Sequence, residues 1–118
     1  MSTLSVSNIT DGTDTVETGY VVNGSAKAWF RGDQAIAAIS FNISSSTDHG
    51  TGDYSSSLTS ALTARGATTT NPRRNANGQL SCQNEGRDSS SVVAIRHYNV
   101  SNVTTDGRNV HATFGDLA

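Results

Sequence analysis

Apolar residues alternate with polar ones in several short stretches, and this period of two predicts β-strands. The clearest case lies in residues 36–62, where two alternating runs flank a loop rich in aspartate and glycine. The apolar positions of the two runs are Ile39, Phe41 and Ile43, and then Tyr54, Leu58 and Leu62. Two such runs around a Gly/Asp loop predict a β-hairpin with a connection wider than a tight two-residue turn.

The remaining strands predicted by this pattern are short and separated by turn residues. They lie at residues 4–9, 19–23, 27–31, 80–83, 92–100 and 110–114, and two exposed loops are predicted at 64–79 and 84–90. Because no ten-residue stretch has helical spacing, the sequence predicts an all-β protein, a small antiparallel β-sandwich or a barrel-like domain. In the strand at 27–31, Trp29 and Phe30 point to opposite faces.

Composition adds two constraints to this picture. Apolar residues make up only 34% of the 118 residues, which is low for a globular domain, while low charge and clear alternation argue against disorder. A chain of this kind buries little alone and completes its core against neighbours. The net charge of −2 gives no sign of a nucleic-acid-binding surface, which would show a basic face with aromatic residues. A lone Cys82 and the absence of a signal peptide or a transmembrane-length apolar run predict assembly in a reducing cytoplasm without membrane insertion.

Candidate catalytic and metal sites are weak. Asp48 and Asp53 flank two glycines but lack the spacing of a calcium loop, and His49, His97 and His111 lack the spacing of a metal pair. The only glutamates, Glu17 and Glu85, lie in polar stretches, and no nucleophile motif occurs. The sequence therefore predicts no enzyme, no cofactor and no metal.

One part of the chain resembles a recurrent module of bacteriophage tail-fibre and related virion proteins. The resemblance lies in Ala26-Lys27-Ala28-Trp29, in Phe41-Asn42-Ile43-Ser44-Ser45, and in the loop from Thr47 to Tyr54, with His49 at its variable position. It covers roughly residues 20–62, and residues 63–91 match nothing recognisable. Where the module has an Asn-Gly-Thr-Gly segment after the tryptophan, this chain has Arg31-Gly32-Asp33-Gln34.

The resemblance implies a homotrimeric virion protein, a tail-fibre or fibre-tip subunit that takes part in host attachment. It would contact other virion proteins and either a bacterial surface glycan or an outer-membrane receptor. A chain of 118 residues is short for a whole tail fibre, so a capsid decoration, head-fibre or adaptor protein with a purely structural role is the alternative. A glycan hydrolase is a third and weaker hypothesis.

Residue roles follow from this interpretation as expectations. Residues 1–18 form an N-terminal attachment segment, in which Leu4, Val6 and Ile9 dock onto the particle, and residues 19–118 form the β-domain. Variable loops carry binding, so the candidate receptor contacts lie in the two predicted loops. These candidates are Arg73, Arg74, Asn75, Asn77 and Arg87. The aromatic residues Trp29, Phe41 and Tyr54 are expected in the core or in a subunit interface.

Overall fold

The structure is a computed structural model that describes residues 2–33, 36–70, 80–83 and 86–118. The first part of the chain contains two short strands, β1 (Asn8–Thr10) and β2 (Thr15–Glu17), and one helix, α1 (Thr18–Gly24). Eight longer strands follow: β3 (Ala28–Asp33), β4 (Ile36–Phe41), β5 (Ile43–Asp48), β6 (Asp53–Leu58), β7 (Ala67–Thr70), β8 (Leu80–Gln83), β9 (Val92–Tyr98) and β10 (Arg108–Phe114).

The eight longer strands form two antiparallel sheets. Sheet one has the order β4-β3-β10-β7 and sheet two has the order β5-β6-β9-β8. Their inner faces pack together, because Ala28 of sheet one belongs to one buried cluster with Leu58, Leu62, Val93 and Ile95 from sheet two and its connections. The prediction of an all-β, antiparallel fold is confirmed, and the described strands form a sandwich.

Alternation of side chains decides what the sandwich buries. In β6, the residues Tyr54, Ser56 and Leu58 are buried, and the residues between them are partly exposed. In β3, Ala28 and Phe30 face the interior, while Trp29 lies on the outer face. The opposite placement of Trp29 and Phe30 therefore agrees with the sequence pattern.

The predicted hairpin in residues 36–62 is confirmed in part. Strands β5 and β6 pair antiparallel around a four-residue connection, in which the Gly50 N–H donates to Asp48 Oδ1 over 2.8 Å. The first alternating run, however, is not one strand. At Asn42 the backbone turns into the left-handed region with a φ of 56°, so β4 belongs to sheet one and β5 to sheet two.

Two further predictions from the pattern were wrong. Residues 67–70, predicted as loop, form β7, which pairs with β10, because three consecutive threonines suit a strand although they show no apolar alternation. Residues 19–23, predicted as a strand, form α1, which buries none of its residues. Its last turn is held by hydrogen bonds from Lys27, a tertiary contact that the pattern does not reveal. Within the described residues, no helix has the length and hydrophobicity needed to cross a membrane.

Candidate attachment and interface surfaces

The lysine of the Ala-Lys-Ala-Trp motif connects the N-terminal part of the chain to the sandwich. Lys27 is 9% exposed, and its ammonium group donates to the carbonyl oxygens of Val22 and Ser25 and to the Ser25 hydroxyl. A cation at the carbonyl end of a helix is favourable, since those carbonyls lack partners within the helix. The Lys27 backbone N–H donates to the Thr113 carbonyl oxygen at 2.8 Å, so one residue holds both α1 and β10.

Asn42 holds the point where the chain passes between the sheets. Its Nδ2 donates to the carbonyl oxygens of Lys27 and Ser60, both at 3.0 Å, and its Oδ1 accepts from the Ser60 N–H at 2.7 Å. Asparagine tolerates a positive φ better than most residues, and its short amide reaches nearby backbone. The residue therefore serves the fold and is not free to bind a partner through its side chain.

The Gly-Asp-Tyr part of the motif is also structural. Gly52 has a φ of +70°, and a Cβ there would lie 2.7 Å from the Thr105 carbonyl oxygen, so only glycine fits. The Tyr54 ring is buried, and its hydroxyl donates to Asp106 Oδ1 at 2.6 Å. The same oxygen accepts from the Gly52 N–H at 2.8 Å. These bonds attach the hairpin loop to the connection before β10.

This network shifts the pKa values of both acidic groups in it. Burial raises the pKa of the Tyr54 phenol, and the hydrogen bond to Asp106 raises it further. The hydrogen bonds from the Tyr54 hydroxyl and the Gly52 N–H lower the pKa of Asp106. Both pKa shifts favour a neutral phenol that donates a stabilising hydrogen bond to an ionised carboxylate.

Asp53 accepts hydrogen bonds from two arginines on the outside of sheet two. Its Oδ2 lies 2.9 Å from Arg96 Nη2 and 3.3 Å from Arg87 Nε. Arg87, one of the predicted receptor contacts, is exposed and has its guanidinium partly occupied by this bond. The other four receptor candidates, Arg73, Arg74, Asn75 and Asn77, lie outside the described residues.

Two aromatic residues of the motif are not buried in the single chain. Trp29 is 38% exposed and Phe41 is 53% exposed, and their rings stack on the outer face of sheet one with centroids 6.4 Å apart. Trp29 and Phe41 were expected in the core or in a subunit interface; in the single chain they lie outside the core, because the second sheet covers the opposite face, where Phe30 lies. Tyr54, by contrast, is 1% exposed and lies inside the sandwich. An interface role for Trp29 and Phe41 stays a prediction.

Further apolar residues surround this pair. Ile39 is 52% exposed on β4, and Val110 and Ala112 of β10 lie beside Arg31 and Trp29 in the strand register. We call the set Trp29, Arg31, Ile39, Phe41, Val110 and Ala112 the aromatic face. A depression of about 410 Å³ lies on it, and another of about 430 Å³ begins on the far side of Phe41 and reaches Leu117.

The N-terminal segment, residues 2–24, is a second exposed apolar surface. Every residue from 2 to 17 is exposed, and β1 and β2 form a separate two-stranded sheet. Leu4 is 85% exposed, while Val6 and Ile9 are 42% and 46% exposed. In α1, Tyr20 is 72% exposed. The three predicted attachment residues thus lie unburied in one segment, although the segment continues into the helix beyond residue 18.

Sequence reasoning missed a polar region inside the sandwich. His97 and His111 are 1% and 3% exposed and belong to different sheets. His111 stacks flat against Phe30, and both of its ring nitrogens lack hydrogen-bond partners among the described residues. Burial lowers its pKa to about 4, and burial also lowers the pKa of His97, whose Nδ1 bonds to the Ser81 hydroxyl. The sequence signal for their burial is alternation, because each histidine lies at a buried position of its strand between partly exposed neighbours.

Among the described residues, no three histidine, cysteine, aspartate or glutamate side chains come close enough to hold a metal ion. Cys82 is exposed and unpaired in the part of the chain that is described.

Comparison with known proteins gave no relationship: no protein-family model, no curated protein and no solved structure matches the chain.

Proposed function

We propose that this chain is a structural protein of a bacteriophage virion, a tail-fibre or fibre-tip subunit that forms a homotrimer and takes part in host attachment. The observation that carries the proposal is the N-terminal segment, with its exposed apolar side chains, joined to a compact sandwich through Lys27. The motif resemblance supports the same proposal. The sandwich is the part that faces outward, and the segment is the part that docks.

The N-terminal segment has the properties of a docking element. A two-stranded sheet of three-residue strands is marginal in water, and here none of its side chains is buried. Both of its edges expose backbone groups that a partner strand can pair with, which is the recognition mode called β-augmentation. Leu4, Val6 and Ile9 would supply apolar contacts to that partner, and Tyr20 would extend the contact.

Host contact in this proposal comes from the loops of the sandwich. Arg87 has one guanidinium nitrogen on Asp53 and is exposed, so the remaining donors are available to phosphate or carboxylate groups of a bacterial surface glycan. Arg73 and Arg74 belong to the same proposal on the strength of the sequence alone. The protein needs no cofactor for this role.

The proposal is tested by deleting residues 2–10 and assembling particles in infected cells. We expect the sandwich of the truncated protein to keep its melting temperature. We also expect the truncated protein to be absent from purified virions. A second variant replaces Leu4, Val6 and Ile9 by serine within the full-length chain, and it should be lost from virions to the same extent. Normal incorporation of either protein would contradict the docking role.

Antibody labelling of intact virions separates the proposed role from the structural alternative. Labelling at the tail supports a fibre subunit, and labelling over the capsid supports a decoration or head-fibre protein. The variant with Arg73 and Arg74 changed to alanine should adsorb less to host cells. Because the sequence predicts an exposed loop at 64–79, its melting temperature should change little, as substitutions at exposed positions usually matter within about 0.5 kcal/mol. Unchanged adsorption with lost incorporation would favour the adaptor role.

A further inference from the structure

The aromatic face is an exposed apolar feature of the sandwich that the fold itself does not require. On the inner side of sheet one, Phe30 is only 1% exposed. On the outer side, Trp29, Ile39 and Phe41 are 38%, 52% and 53% exposed. Single exposed apolar residues are normal, but these adjoin one another across β3 and β4, where Trp29 pairs with Phe41 and Arg31 pairs with Ile39. A contiguous patch of this kind marks a surface that a partner covers.

Charges on the same face indicate which partner. Arg31 and Asp33 alternate with buried residues along β3, so both lie on the outer side, and both are exposed. Neither forms an ion pair within the described part of the chain. Arg108 of β10 is exposed and lies opposite Asp33 in the strand register, so this face carries two arginines and one aspartate. A second copy of the chain can place one of its arginines against Asp33, and this complementarity favours another copy as the partner.

The apolar surroundings argue against a sugar as the occupant. Sugar recognition on an aromatic ring needs several polar groups that fix the hydroxyls, whereas Trp29 on this face is surrounded by Phe41, Ile39, Val110 and Ala112. Arg31 and Thr69 also line the depression, but the Thr69 hydroxyl already donates to the Ala112 carbonyl oxygen. An apolar centre with charges at its border is instead the composition of a protein–protein interface.

We propose that a second copy of this chain covers the aromatic face, with Trp29 and Phe41 at the centre of the contact and Arg31 of one copy facing Asp33 of the next. The inference rests on the proposed function for the existence of an oligomer and adds the surface through which it forms. A different virion protein or a glycan on this face is an outcome that the experiments below would reveal.

The first experiment measures the mass of the full chain by sedimentation equilibrium over a range of concentrations. Phe41→Glu places a charge at the centre of the face without touching the core, and we expect it to raise the dissociation constant at least tenfold, the effect of about 1.4 kcal/mol. The matched control is Val100→Glu, since Val100 is 76% exposed in the connection after β9. It should leave the dissociation constant unchanged. Circular dichroism and melting of each variant show that the fold is intact.

The second experiment uses charge reversal, which distinguishes self-association from binding to a different partner. Arg31→Glu leaves the face with two negative charges and Arg108, and Asp33→Lys leaves it with three positive charges. Each variant alone should associate more weakly than the wild type, and an equimolar mixture should regain oligomers that contain both. A partner other than this chain would not produce recovery on mixing.

The outcomes separate this inference from the proposed function. An oligomer that is insensitive to Phe41→Glu and to both charge reversals overturns the aromatic face as its contact and leaves the trimer standing. A wild-type chain that stays monomeric at micromolar concentration overturns both the interface and the trimer, while docking of residues 2–10 is still judged by particle incorporation. Binding of a purified host glycan that is lost in Phe41→Glu, with oligomers unchanged, assigns the face to a glycan and overturns the inference.

Discussion

The buried His111 makes the stability of the sandwich dependent on pH in a defined window. Its pKa falls from the ordinary 6.5 to about 4, because burial disfavours the charged imidazolium. The unfolded chain binds a proton at this residue below pH 6.5, and the folded chain does so only below about pH 4. Stability from this group is therefore complete above pH 6.5, falls as the pH drops through that window, and levels off below pH 4.

The size of the effect follows from the shift. A difference of about 2.5 pKa units corresponds to about 3 kcal/mol for the whole window, of which about 2 kcal/mol is lost between pH 7 and pH 5. His97 acts in the same direction, since burial lowers its pKa as well. A loss of this size is a large part of the stability of a small domain.

The assay is urea unfolding of the wild type and of His111→Leu at pH 7 and at pH 5. Unfolding is monitored by the fluorescence of Trp29, the only tryptophan in the sequence. Leucine has a similar volume and removes the titrating ring, whose two nitrogens have no hydrogen-bond partner among the described residues. The free energy of unfolding that is lost between pH 7 and pH 5 should be about 2 kcal/mol smaller in the variant than in the wild type. This corresponds to a difference of about 1 M in the urea midpoint. Protein concentration is held constant, because any oligomer shifts the apparent stability.

The control variant changes an exposed histidine. His49 lies in the hairpin loop, so His49→Gln should lose as much stability between pH 7 and pH 5 as the wild type does. If His111→Leu also loses stability to the same extent as the wild type, then His111 is hydrated or protonated inside the folded protein and the reasoning from burial is refuted.

Three other substitutions test the contacts that hold the motif. Gly52→Ala should cost at least about 2 kcal/mol, measured as a lower melting temperature, because the new Cβ meets the Thr105 backbone at a positive φ; an unchanged melting temperature would mean that the loop relaxes freely. Tyr54→Phe should cost about 1 kcal/mol and raise the pKa of Asp106, which an NMR titration follows; a carboxylate that titrates as before would contradict the hydrogen bond. Lys27→Met should speed amide exchange in α1 and leave the sandwich strands protected, whereas equal acceleration throughout would show a global role.

Alternation along single strands was sufficient to predict the fold class. Tyr54 and Leu58 are buried on the same side of β6, and Trp29 and Phe30 lie on opposite sides of β3, as their positions in the sequence require. The hairpin between β5 and β6 followed from the Gly/Asp loop between two such runs. These features depend on neighbours in the sequence, so local information contains them.

Pairing between distant segments was beyond this kind of reasoning. Alternation continues through Ile39, Phe41 and Ile43, but it does not reveal that the chain changes sheets at Asn42, because a side chain's face says nothing about which sheet its strand joins. The threonines of β7 form a strand through their bonds to β10, more than 40 residues away. Residues 18–24 form a helix whose last carbonyls are bound by Lys27.

The candidate surfaces divide in the same way. From the sequence alone, Leu4, Val6 and Ile9 were predicted to dock onto the particle, and Trp29 and Phe41 were predicted to lie in the core or in a subunit interface. Only the tertiary structure decided that the second sheet covers Phe30 and leaves Trp29 and Phe41 exposed and stacked, and that His97 and His111 lie inside. Periodicity determines which residues of a strand share a face. Which of the two faces is buried depends on how the two sheets pack, and that packing rests on contacts between strands remote in sequence.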